Sequence, residues 1–77
     1  MNYAQLMDGF MYLALRYENI SVTNLYNQFL EHLHRNNIPI PDDYMPFISA
    51  ATNARNDSNI AKKIIMDGAT WKPEINF

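Results

Sequence analysis

Residues 21–37 read SVTNLYNQFLEHLHRNN, and this stretch decides the fold class. Val22, Leu25, Tyr26, Phe29, Leu30 and Leu33 recur at three- and four-residue steps, which gather them on one side of a helix. Asn24, Asn27, Gln28, Glu31, His34 and Arg35 take the other side. Both ends are marked by local chemistry. The Ser21 side chain can accept a hydrogen bond from a free amide of the first turn. Ile20 and Leu25 occupy the hydrophobic-staple positions around it. Asn36 and Asn37 tolerate the left-handed backbone that closes helices. The spacing predicts a helix that opens at Ser21 and ends at the asparagines.

Upstream, a second long stretch lacks proline and predicts a helix from about Tyr3 to about Glu18. Tyr3, Leu6, Met7, Phe10, Met11, Leu13, Ala14, Leu15 and Tyr17 fall within an arc of roughly 200° on it. An ordinary surface helix carries an apolar stripe only a little wider than about 100°. Either the helix is central and the others cover it, or part of the face meets another chain. Asn2, Gln5, Asp8, Gly9, Tyr12 and Arg16 form the narrow polar side. Leu6, Phe10, Leu13 and Tyr17, with Met7 and Met11 on the flank, are therefore candidates for partner binding.

Downstream, Ile38-Pro39-Ile40-Pro41 cannot be helical, because each proline restricts the residue before it to extended geometry. It predicts a stiff connector with two apolar side chains to tuck away. Asp43 is placed to cap a third helix, with Pro46 in the first turn, where a missing amide costs little. Tyr44, Phe47, Ile48, Ala51 and Ala54 share a face, and the alanines allow another helix to come close. Asn56 or Asp57 caps a short fourth helix ending at Gly68. Its apolar face is Ile60, Ala61, Ile64 and Ile65, while Lys62, Lys63 and Met66 point elsewhere. From Trp71 the period changes to two, the repeat of an extended strand. Trp71, Ile75 and Phe77 are expected to anchor this tail in a groove of this protein or of another. Lys72, Glu74 and Asn76 are expected to face solvent. The prediction is an all-α fold: a compact bundle of three main helices and a short fourth over residues 1–70, then an extended amphipathic tail over residues 71–77.

Composition bounds the function. A chain of 77 residues is one small domain, and 48% hydrophobic against 18% charged residues argues against intrinsic disorder. No cysteine is present, which removes disulfides, thiolate zinc sites and a cysteine nucleophile. The net charge of −2 is too mild and of the wrong sign for a nucleic-acid surface. No apolar run approaches the ~20 residues of a membrane span, and the N-terminus lacks a signal-peptide pattern. A cytoplasmic protein without membrane contact is the expectation.

The candidates for chemistry are few. His32 and His34 sit two apart on a helix, so they point to different sides and cannot share a metal ion. Asp42 and Asp43 precede a helix start, where carboxylates are favoured as caps and by the helix dipole. Ser21, Ser49 and Ser58 have no glycine elbow, and neither glycine has a partner with which to cradle phosphate. No enzyme, cofactor or metal is expected. The segment Asn59–Ile65 resembles the first helix of a helix-turn-helix, and a small DNA-binding regulator is the alternative reading. Against it, the small turn residue is missing, and Pro73 and a single basic residue, Lys72, stand where a recognition helix belongs.

Five Tyr, five Met, four Phe and one Trp supply adaptable apolar contact area of the kind enriched at interface centres. The expected function is a non-enzymatic protein-binding module, an accessory, adaptor or inhibitor protein. It would act through an apolar, aromatic helical surface on another protein or on a second copy of itself. Small size, absence of Cys and frequent Asn, Ile and Tyr resemble the small orphan proteins of bacteriophages from AT-rich genomes. That resemblance implies a site of action in the host cytoplasm or the virion.

Overall fold

Asn2 opens the first helix with a reciprocal capping box. Its Oδ1 accepts from the Gln5 amide at 2.9 Å, and the Gln5 side chain accepts from the Asn2 amide at 3.1 Å. In this computed structural model, which describes residues 2–68 and 71–75, α1 spans Tyr3–Arg16, α2 Val22–Arg35, α3 Met45–Asn56 and α4 Ser58–Lys63. A π turn, Ile64–Gly68, continues α4, and residues 71–75 are extended. The fold is all-α: three main helices, a short fourth and an extended tail. Among the described residues no helix is long and apolar enough to cross a membrane.

The expected punctuation is present. Ser21 Oγ accepts from the Asn24 amide at 3.2 Å. At the other end of α2, Asn37 takes the left-handed conformation with φ 56°. The Asn37 amide bonds back to the His34 carbonyl at 3.2 Å and the Ile38 amide to the Leu33 carbonyl at 2.9 Å. That is a Schellman closure with asparagine in the place glycine usually takes, and Ile38 packs on the core beside it. At α3 the cap position falls to Tyr44, one residue later than expected and without a side-chain cap bond; Asp43 stands before it and accepts from the Met45 amide at 3.0 Å, and Pro46 falls in the first turn. Asp57 caps α4 by accepting from the Asn59 amide at 2.9 Å.

One aromatic ring from each main helix meets at the centre. Phe10 of α1, Phe29 of α2 and Phe47 of α3 are fully buried. Phe10 lies 5.2 Å from Phe29 and 6.2 Å from Phe47, and Tyr26 stands edge-on to Phe10 at 5.2 Å. α1 and α3 pack most extensively and run in the same direction. Tyr3 touches Phe47 near their starts, with ring centroids 5.3 Å apart. At their ends, Arg55 donates from Nε to the Ala14 carbonyl at 2.7 Å and from Nη2 to the Tyr17 carbonyl at 2.8 Å. Ala14, Ala51 and Ala54 are fully buried, small enough for the two backbones to approach.

Four expectations are corrected here. Leu6, Phe10 and Leu13 are core residues rather than a face for a partner, because α2, α3 and the π turn all pack on α1 and consume its wide apolar arc. Gly9, assigned to the polar side, is buried under the Trp71 indole. Ile65, assigned to the apolar face of α4, is exposed; the chain passes into the wider i→i+5 turn at Ile64, which buries Ile64 and leaves Ile65 outside. Tyr44 and Ile40 are exposed as well, because α3 starts only at Met45 and the proline-bound connector stands away from the core after Ile38.

Candidate interaction surface

Three of the nine residues expected to meet a partner belong to the tail, and the tail lies on this protein's own helices. Trp71 is half-buried, 5.8 Å from the Phe29 ring and 6.1 Å from the His32 ring. Pro73 and Ile75 point inward, while Lys72 and Glu74 face solvent. The Tyr17 hydroxyl donates to the Ile75 carbonyl at 3.2 Å, which ties the tail to the end of α1. A polar seam of Gln28, Glu31, Arg35 and Glu74 runs beside it. Phe77 and Asn76 lie outside the described residues. On α1, Met7 and Met11 are half-buried, and Tyr17 is held by the tail. Among the described residues, Leu6, Phe10 and Leu13 thus lie in the core, Tyr17, Trp71 and Ile75 at the tail seam, and Met7 and Met11 half-buried on α1.

The free apolar surface lies elsewhere. The α2–α3 connector forms a ridge at Pro41 and Asp42, with a hollow on either side. The larger hollow, about 570 Å³, is lined by Tyr26, Asn27 and Leu30 of α2 and by Tyr44, Met45 and Ile48 at the start of α3. The smaller, about 350 Å³, is bordered by Tyr3, Leu6, Pro39, Ile40 and Asp43. Leu6, although buried, forms part of this wall. Pro39, Ile40 and Pro41 hold the ridge extended, and Asp42 and Asp43 give it a negative edge. Burial raises the pKa of the Tyr26 hydroxyl above the ordinary tyrosine value, and Tyr3 and Asp43 add to the shift.

The two histidines diverge, His32 against Trp71 and His34 exposed. Asp43 is engaged by the Met45 amide at the entrance to α3. The segment Asn59–Ile65 leads into the π turn, and residues 71–75 beyond it are extended. The connector face escaped the sequence reading, although its signal was present. Two prolines two residues apart keep Ile40 away from any helix, and the Tyr-Met pair sits at a helix entrance, where side chains are least covered.

The connector face is apolar, concave and edged with carboxylate. No protein-family model, curated protein or solved structure matches the chain.

Proposed function

We propose that this chain is a cytoplasmic, non-enzymatic protein-binding module that engages its partner through the connector face. One observation carries the reading. Of the six large apolar side chains exposed among the described residues, four (Tyr3, Ile40, Tyr44 and Met45) border two adjoining hollows. The interior is already closed by Phe10, Phe29, Phe47 and the leucines around them, and half or more of each of these four side chains stays outside it. Contiguous exposed apolar area is uncommon on a monomeric surface and marks interaction sites, and Tyr and Met are favoured at their centres. The proline-stiffened ridge also lowers the ordering cost of docking.

The test is affinity capture from native host cells with three baits: wild type, Tyr44→Ser and Met45→Asp. The substitutions alter exposed side chains, and an acid in the first turn suits the dipole of α3. Wild type is expected to retain a partner that both variants lose at unchanged melting temperature. Capture indifferent to both substitutions overturns the reading.

A further inference from the structure

The exposed large apolar side chains fall into two groups, each beside a doublet of like charge, and these doublets are the only adjacent pairs of like-charged residues in the chain. On the connector face, Ile40, Tyr44 and Met45 flank Asp42 and Asp43. On α4 and the π turn, Ile65 and Met66 follow Lys62 and Lys63. All four charged residues are exposed, and Met66 is the most exposed of the large apolar side chains, at 77%. The lysine doublet outnumbers the one acidic residue of the π turn, Asp67, so this face carries a net positive charge by sequence. No residue of α4 or the π turn lines either hollow. The two patches are therefore separate surfaces of one molecule, with complementary charge and similar chemistry.

We propose that the connector face of one copy of this chain docks the α4 and π-turn face of a second copy, head to tail. Lys62 and Lys63 come to lie against Asp42 and Asp43, and Met66 enters the hollow beside Tyr44 and Met45. The proposal rests on the binding-module reading and names the partner. The charges choose the mode. Two connector faces brought together would set Asp42 and Asp43 against their own copies, and two α4 faces would do the same with the lysines. Like-charge juxtaposition opposes both two-fold arrangements, whereas the head-to-tail contact pairs opposite doublets at every step. An unbranched methionine is suited to filling an irregular apolar hollow. A head-to-tail contact closes into a ring or continues as a chain, and does not stop at a symmetric dimer.

The test is sedimentation equilibrium of the full chain across a concentration series at low and high salt. Two variants are compared, Asp42→Lys and the double variant Lys62→Glu/Lys63→Glu. Asp43 is left intact because it accepts from the Met45 amide at the start of α3. Wild type is expected to pass beyond dimer mass as concentration rises, and to weaken at high salt. Each variant alone is expected to associate at least tenfold more weakly. An equimolar mixture of the two should associate again, because the intact acidic face of one meets the intact basic face of the other. A two-fold contact through one face would instead leave the variant altered on the other face associating like wild type. A wild type that stays monomeric, variants that associate like wild type, or a mixture that fails to associate each overturn the proposal. A monomeric wild type that still captures a Met45-dependent protein overturns self-docking alone and leaves the binding-module reading standing.

Discussion

Gly9 shows how much can depend on one missing atom. A Cβ built there would clash with the Trp71 ring, 2.7 Å from Cζ3 and closer still to Cε3, so the indole lies flush on α1 only because nothing projects. In the middle of a helix, glycine costs about 1 kcal/mol relative to alanine, and burial of the indole offsets that cost. Gly9→Ala therefore sets two effects against each other. The helix gains propensity, while overpacking of this kind costs about 1–3 kcal/mol or expels the ring. The tail is the weaker party, so the indole should move. Gly9→Ala is expected to red-shift tryptophan emission and lower the melting temperature. In a Trp71→Ala background the same substitution should raise the melting temperature, because only the propensity gain remains. A double-mutant cycle reads this sign reversal directly; the same sign in both backgrounds would mean that the notch is not what holds the tail.

At the scale of elements, the ends of the helices were legible because capping is local. Ser21, the Asn36-Asn37 pair, Asp43 and Asp57 act on backbone groups within a few residues of themselves, and each stands where the periodicity places a boundary. The alternation of the tail was legible too, and Trp71, Pro73 and Ile75 turn inward as a period of two requires. The allocation of surfaces was not legible. The wide arc of α1 suits a central helix and a partner-facing one equally, and only the arrival of three other elements decides between them. Gly9 has no side chain to declare a face, and the π turn that turns Ile65 outward leaves no mark on the hydrophobic period. Arg55 also escaped notice, because its role depends on two carbonyls far away in sequence. It closes the open end of α1 through the Ala14 and Tyr17 carbonyls, and burial lowers its pKa while Glu18 acts in the opposite direction. Hydrogen bonds from a charged donor contribute about 1.5–3 kcal/mol. Arg55→Met should therefore cost on the order of 2 kcal/mol in urea denaturation. Arg55→Lys should recover less than half of that, since an ammonium cannot span two acceptors as the planar fork does. Full recovery by lysine would reduce the contact to simple charge.

The molecule as a whole separates what holds it together from what it offers. Its radius of gyration of 11.3 Å matches the ~11.5 Å expected of a compact domain of this length. Total stability at this size is on the order of 4–12 kcal/mol, so no single core residue is expendable. Phe10, Phe29 and Phe47 hold the three main helices against one another through mutual ring contacts. Phe47 also receives Tyr3 from the start of α1. Truncating a buried phenylalanine costs about 3–5 kcal/mol, half or more of a total near the lower end of that range. The exposed residues of the connector face carry no such burden, and surface substitutions away from special features ordinarily stay within about 0.5 kcal/mol. Phe47→Ala is thus expected to leave the chain largely unfolded near 37 °C, with loss of helical circular dichroism. Met45→Asp, two residues away, should melt within a few degrees of wild type. The pair forms one experiment because both positions belong to the first turn of α3, so local helix propensity cannot account for a difference between them. If Met45→Asp melts as low as Phe47→Ala, the connector face is part of the core and its apolar residues need no partner. If both variants melt like wild type, the aromatic centre is not what holds the helices together.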